Sequence, residues 1–280
     1  VLDSKNIDLR ILSSAPQGQG KDDLWQWKIW QDCSYLTCNL LAKWQHGFFT
    51  QQFYPRLPEE LRTIWQPPTI AYRVKQVHGN IVKTPLEINL VIEQDIKDLA
   101  DGDGVISEQP QQSVWVASAD CTPVLIGDVQ TGQVCAIHAG WRGTALKIVP
   151  GAIARFEEFG SQKSNLRIAI GPAIAGEVYQ VDDYVAVEVG KTIIADFQTE
   201  EEILNTLKNL PNPPILEDVL PGKVRLDVPR VNQIQLEQLG INPEHIAIAP
   251  YCTYQQEDLF FSYRRTGEKK VQWSGIVSST

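Results

Sequence analysis

An α/β (α+β) fold is predicted by three observations. Short apolar runs closed by Gly, Asp or Pro recur through the middle of the chain; helix-patterned stretches alternate with them in the second half; and 280 residues at 43% hydrophobic content suffice for a sizeable buried core. In chain order, Leu24-Trp25-Gln26-Trp27-Lys28-Ile29-Trp30 alternates as a strand does, and the Pro-punctuated stretch from Tyr54 to Pro68 predicts a helix near Glu59 to Trp65. Val114 to Ser118, Val124 to Asp128 and Val134 to Ile137 read as buried strands, which places Cys121 and His138 just past strand ends. Thr144 to Phe159 reads as helical, starting again near Pro150, because proline suits a first helical turn. Leu166 to Ile170 is a further strand, Tyr184 to Ala195 and Glu200 to Leu207 are helices, and Val228 to Leu239 is a helix ended by Gly240. Phe260 to Arg265 and Val271 to Val277 return to strand character.

Composition excludes several classes. A net charge of -9 argues against a nucleic-acid partner, which calls for clustered Lys and Arg. No apolar run approaches the roughly 18 residues of a membrane span, and Val1-Leu2-Asp3-Ser4-Lys5 lacks the order of a secretory signal, so the expected setting is cytoplasmic. Five cysteines, an odd number without dense spacing, are expected as reduced thiols. Phosphate-loop, G-x-S-x-G and zinc-deaminase H-x-E motifs are missing.

The chemistry-bearing residues are His78, Cys121 and His138, each among glycines or small residues. Two imidazoles and a thiolate suit zinc and leave a fourth position for water or substrate. The alternative, Cys121 as a nucleophile with His138 as its base, leaves His78 unexplained. A structural metal would need a fourth protein ligand, from Cys135, Cys252 or His46; strand alternation sets Cys135 and His138 on opposite faces. Asp120 and the Asp101-Gly102-Asp103-Gly104 cluster are candidate proton carriers, Asp103 among them. Arg142, between glycines and close to His138, is the first candidate for holding an anion such as phosphate, with Arg264 and Arg265 second.

The segments Gln76-Val77-His78-Gly79, Ala119-Asp120-Cys121-Thr122-Pro123-Val124-Leu125, His138-Ala139-Gly140-Trp141-Arg142-Gly143-Thr144, Ile170-Gly171-Pro172-Ala173-Ile174, Tyr179-Gln180-Val181, Cys252-Thr253-Tyr254 and Phe260-Phe261-Ser262-Tyr263-Arg264-Arg265 closely resemble the YfiH family, also labelled the laccase-domain or polyphenol oxidase family. The resemblance implies a single domain, a four-layer α/β/β/α sandwich with mixed sheets; with residues 1–45 read from their own pattern as a peripheral β-rich extension, the domain is expected over residues 1–280. The resemblance also implies zinc at His78, Cys121 and His138, phosphorolysis of purine nucleosides (adenosine, inosine, guanosine, methylthioadenosine) with inorganic phosphate as co-substrate, and adenosine deamination. The family's older label, copper-dependent polyphenol oxidation, is a competing reading, as is a non-catalytic zinc protein. Four histidines without a His-x-His pair are too few for a multicopper centre. The chain departs from the family pattern at Gln51, where an arginine is usual, and at Glu268-Lys269-Lys270, where an arginine commonly follows Thr-Gly. Gln51 would then offer phosphate an uncharged donor.

Overall fold

The computed structural model describes residues 24–93 and 99–279; of the extension expected over residues 1–45, residues 1–23 lie outside the described residues. Two six-stranded mixed sheets face each other. The first contains β1 (Trp25–Trp30), β2 (Cys33–Cys38), β3 (His46–Phe49), β4 (Ile70–Tyr72), β7 (Gln112–Ser118) and β15 (Gln272–Val277), in the order β1-β2-β3-β15-β7-β4. The second contains β5 (Val82–Lys83), β6 (Gly104–Ile106), β8 (Thr122–Asp128), β9 (Val134–Ala139), β10 (Leu166–Ile170) and β14 (Ile246–Ile248), in the order β14-β10-β8-β9-β6-β5. Each sheet is mainly antiparallel, with parallel pairs at β4·β7 in the first and at β10·β14 and β5·β6 in the second.

Alternation along the strands builds the layers. Leu36, Phe48, Val114, Val116 and Ile276 of the first sheet meet Val105, Leu125, Val134, Ala136 and Ala169 of the second between the sheets. Their neighbours Val124, Ile126, Cys135 and Ile137 point outward, against α4 (Ile148–Glu158) and Leu236 of α7 (Val228–Gln238). On the far side of the first sheet, Phe49, Trp115 and Val277 pack on Phe53, Trp65 and Leu61 of α1 (Pro58–Leu61). This is the four-layer α/β/β/α sandwich. Burial on both faces explains why the central strands read as unbroken apolar runs. Removing a core side chain such as Ile153 or Phe156 would cost about 2–5 kcal/mol.

A smaller three-stranded sheet, β11 (Gln180–Asp182), β13 (Lys223–Leu226) and β12 (Ile215–Glu217), packs with α5 (Asp183–Gly190), α6 (Glu200–Asn209) and α7 into its own apolar cluster. The remaining helices are α2 (Pro85–Glu93), α3 (Trp141–Ala145) and α8 (Tyr263–Thr266). No helix among the described residues is long and apolar enough to cross a membrane.

The structure corrects several sequence expectations. The helical stretch expected from Thr144 to Phe159 with a restart near Pro150 is α3 and α4: the restart is found, at Ile148, after Lys147 turns into the left-handed region at φ 58°, and the stretch begins earlier than expected, at Trp141. That expected from Tyr184 to Ala195 stops at Gly190, where the backbone tightens into turns. Phe260 to Arg265 is not a strand: Ser262 Oγ accepts the Arg265 N–H and starts α8. His138 lies inside β9 rather than beyond it. Gly240 ends α7 as expected, at φ +86°, a conformation that costs glycine little.

Candidate metal centre

The β8–β9 hairpin brings two of the three ligands together. Thr122 pairs with Ala139 and Pro123 with His138, so Cys121, one residue before β8, stands opposite Gly140, one residue after β9. Gly140 supplies the room. A Cβ at that position would lie 2.9 Å from Cys121 Sγ and 3.4 Å from His78 Cδ2.

His78 arrives on the connection between β4 and β5, which is fastened twice. Gln76 exchanges hydrogen bonds with the Ala117 backbone, its Nε2 donating to O at 2.8 Å and its Oε1 accepting from N at 2.7 Å. His78 itself takes the left-handed conformation at φ 60°, which turns three successive N–H groups inward. The Val77, His78 and Gly79 amides donate to the Asp103 carboxylate at 3.2, 2.9 and 2.7 Å. Asp103 is fully buried and also accepts from His138 Nδ1 at 2.8 Å, while its backbone O accepts the His138 N–H at 2.7 Å. One carboxylate thus sets the His78 loop and leaves His138 Nε2 for a ligand.

The ligand atoms of His78, Cys121 and His138 all lie within 4.8 Å of one another, and among the described residues no other His, Cys, Asp or Glu joins them. Around an ion with bonds of about 2.0–2.3 Å, tetrahedral ligand atoms stand roughly 3.3–3.8 Å apart, so a small contraction seats one. Burial would push the Cys121 thiol up, but hydrogen bonds to His138 and His78 outweigh it and bring it down to about 6. Burial would likewise lower His138; its hydrogen bonds to Asp103 and Cys121 reverse this and raise it to about 9. The thiolate is therefore accessible at neutral pH, and an incoming ion displaces one imidazole proton.

All three ligands line a cavity of about 750 Å³, with His138 buried, Cys121 intermediate and His78 exposed. Its wall also carries Arg73, Lys75, Lys269, Lys270, Tyr263 and Trp273. Sequence reasoning missed these as site residues. The one available signal was the Glu268-Lys269-Lys270 departure.

The other candidates have separate positions. Asp120 is almost buried, and both its oxygens are occupied: Oδ1 accepts from Thr253 Oγ1 and Oδ2 from the Arg264 N–H, each at 2.7 Å. Arg265 donates to the carbonyls of Thr253, Tyr254 and Phe260, fastening that loop. Arg142 lies over Trp141 at 4.5 Å and Arg264 over Tyr179 at 4.9 Å, both outside the lining of the large cavity. Gln51 donates to the Glu257 carbonyl at 2.7 Å.

The possible fourth ligands are engaged elsewhere. His46 Nε2 accepts the Cys38 N–H, and its Nδ1 lies 2.9 Å from Trp44 O. Cys252 Sγ accepts the Ala175 N–H, and Cys135 faces the α4 side of the second sheet. The fourth histidine, His245, is hydrogen-bonded to Arg167. With every imidazole placed, this chain cannot assemble a blue-copper site together with a three-copper cluster.

A family model described as multi-copper polyphenol oxidoreductase laccase matches residues 59–278. A Synechocystis sp. protein named purine nucleoside phosphorylase slr1573 is 55% identical over 259 residues, 92% of this chain and 98% of its own length. A protein from an unknown prokaryotic organism named adenosine deaminase RL5 is 27% identical over 154 residues, 55% of this chain and 53% of that protein. The crystal structure of YlmD from Geobacillus stearothermophilus shares the fold, with a TM-score of 0.74, 23% identity, and coverage of 91% of this chain and 99% of that one. The matched stretch holds His78, Cys121 and His138 together, and the chain belongs to this laccase-domain, or YfiH, family.

Proposed function

We propose that this chain is a zinc-dependent purine nucleoside phosphorylase for adenosine, inosine, guanosine and methylthioadenosine, with adenosine deaminase activity. The convergence of His78, Cys121 and His138 on the wall of a nucleoside-scale cavity carries the reading. The names of the Synechocystis and RL5 relatives support the two activities respectively. The donor set fits zinc: two imidazoles and a thiolate, with one imidazole oriented by a carboxylate. Copper oxidation of phenols is disfavoured by the four engaged or mononuclear imidazoles, and a purely structural zinc by the missing fourth protein ligand among the described residues.

Zinc bound there would supply Lewis-acid polarisation and a water of lowered pKa. The protein's own residues do the rest. Asp103 keeps His138 in one tautomer, and Trp273 and Tyr263 offer aromatic surface to a planar base. In phosphorolysis a phosphate oxygen bonds to the ribose anomeric carbon as the glycosidic bond breaks; its electron pair leaves with the base, which takes up a proton. In deamination water adds at the amino-bearing purine carbon and ammonia departs. We further propose one domain over residues 1–280 in a cytoplasmic setting, which the five free thiols favour.

The test is product analysis of metal-replete protein on adenosine. Adenine and ribose 1-phosphate should form only with phosphate, and inosine without it. Protein with stoichiometric zinc that yields none of these would refute the proposal.

A further inference from the structure

The cations that sequence reasoning assigned to phosphate are not those lining the cavity of the metal ligands. Four others line it: Arg73, Lys75, Lys269 and Lys270. Their partners separate them. Lys75 faces Asp101 at 3.7 Å and Lys270 faces Glu268 at 2.9 Å, so the single ammonium of each is already beside an acid, whereas Arg73 meets Glu59 through Nε alone. Lys269 has no ion-pair or hydrogen-bond partner among the described residues.

Arg73 is the most sheltered of the three whose ion pairs are known, its side chain 22% exposed. Its Nε donates to Glu59 Oε1 at 2.9 Å, and its guanidinium lies 5.7 Å from the centroid of the Trp273 ring. Anchored along one edge and supported by an indole, it keeps both Nη groups without a protein partner among the described residues. A fixed guanidinium with two free terminal nitrogens is the geometry that grips two oxygens of one phosphoryl group. Meanwhile Arg265 is closed by three carbonyls, Arg264 donates to Gln180 O, and Gln51 to Glu257 O.

We propose that Arg73 and Lys269 form a phosphoryl-binding subsite in the cavity of the metal ligands, supplying the positive charge that Gln51 lacks. The inference deepens the phosphorylase reading and rests on it for the identity of the ligand as orthophosphate. The same chemistry would serve the phosphate of a nucleotide.

Calorimetric titration separates these cases without requiring turnover. Wild type, R73Q, K269Q and R142Q are titrated with orthophosphate and, separately, with AMP. Loss of one charge-assisted contact should weaken binding about tenfold or more in R73Q and K269Q, with R142Q close to wild type. A loss seen with orthophosphate assigns the subsite to the co-substrate, and a loss seen with AMP alone assigns it to a nucleotide; both support the subsite. No measurable binding of either anion to wild type, or a loss confined to R142Q, overturns it. K269Q changes an exposed side chain and so remains informative if R73Q fails to fold. Anion binding that depends on Arg73 and Lys269 in protein without phosphorolytic products would sustain the subsite and defeat the phosphorylase reading; the converse pattern would do the reverse.

Discussion

On the metal-ligand side of the cavity, Asp103 is fully buried and receives three backbone amides and an imidazole; on the cationic side, Lys75 and Lys270 are 59% and 42% exposed and each faces one exposed acid. The first side is held by short hydrogen bonds in a low-dielectric interior, where geometry is rigid and loss of a partner is costly. The second is screened by water, and its ion pairs contribute little to stability. A metal site needs the first kind of support because its ligands must converge within a few tenths of an ångström; capture of a mobile anion needs charge and reach.

Four substitutions and titrations probe that contrast. The largest effect is expected for Asp103→Ala, which strands three amides and the His138 imidazole. It should cost about 3–5 kcal/mol in chemical denaturation and abolish metal retention. A variant of near wild-type stability would show that the carboxylate is not the keystone of this side. Next, Gly140→Ala adds a methyl carbon 2.9 Å from Cys121 Sγ at a backbone φ of −66° that any residue adopts. The expected loss is about 1–3 kcal/mol together with reduced metal content, since the strain falls on the ligand and not on the backbone. Unchanged metal content would mean that the site has more slack than the contact implies.

On the cationic side, Lys75→Gln should alter stability by less than about 1 kcal/mol, because its pair with Asp101 is open to solvent. A larger loss in thermal unfolding would contradict the division between the two sides. The smallest perturbation is pH. In chelator-treated protein the Cys121 thiol titrates at about 6, against 9.0 ordinarily, so the thiolate persists down to that pH and is lost below it. The stability this ionisation provides is therefore fully present above about pH 9, declines as pH falls, and is gone below about pH 6. Alkylation by iodoacetamide, with Cys121→Ala as the blank, should show its half-maximal rate near pH 6; a midpoint near 9 would remove the imidazole partnership.

The same contrast separates what could be read from the chain. Buried strands announce themselves, since Val124 to Asp128 and Val134 to Ile137 are apolar on both faces and leave no competing pattern. His78, Cys121 and His138 stood out because glycines and small residues surround them, and those residues make the space in which the three converge. Asp103 was legible as a carboxylate of interest but not as the group that organises the His78 loop, because that depends on a left-handed turn at a histidine. Ser262 and Arg264 read as strand because the apolar run before them masks a local N-cap, and because the bond from the Arg264 N–H to Asp120 joins residues 144 apart in the chain. Arg73 and Lys269 left almost no signal: an exposed cation looks like any solvated charge until tertiary structure sets it at a cavity wall.

X-ray absorption at the zinc edge, combined with elemental analysis of freshly purified protein, decides whether the two imidazoles and the thiolate hold one ion with an open corner. The expected result is one zinc per chain with one sulfur at about 2.3 Å, two imidazole nitrogens at about 2.0–2.1 Å and one further light atom. Copper in place of zinc, or a second sulfur in the coordination sphere, would contradict it.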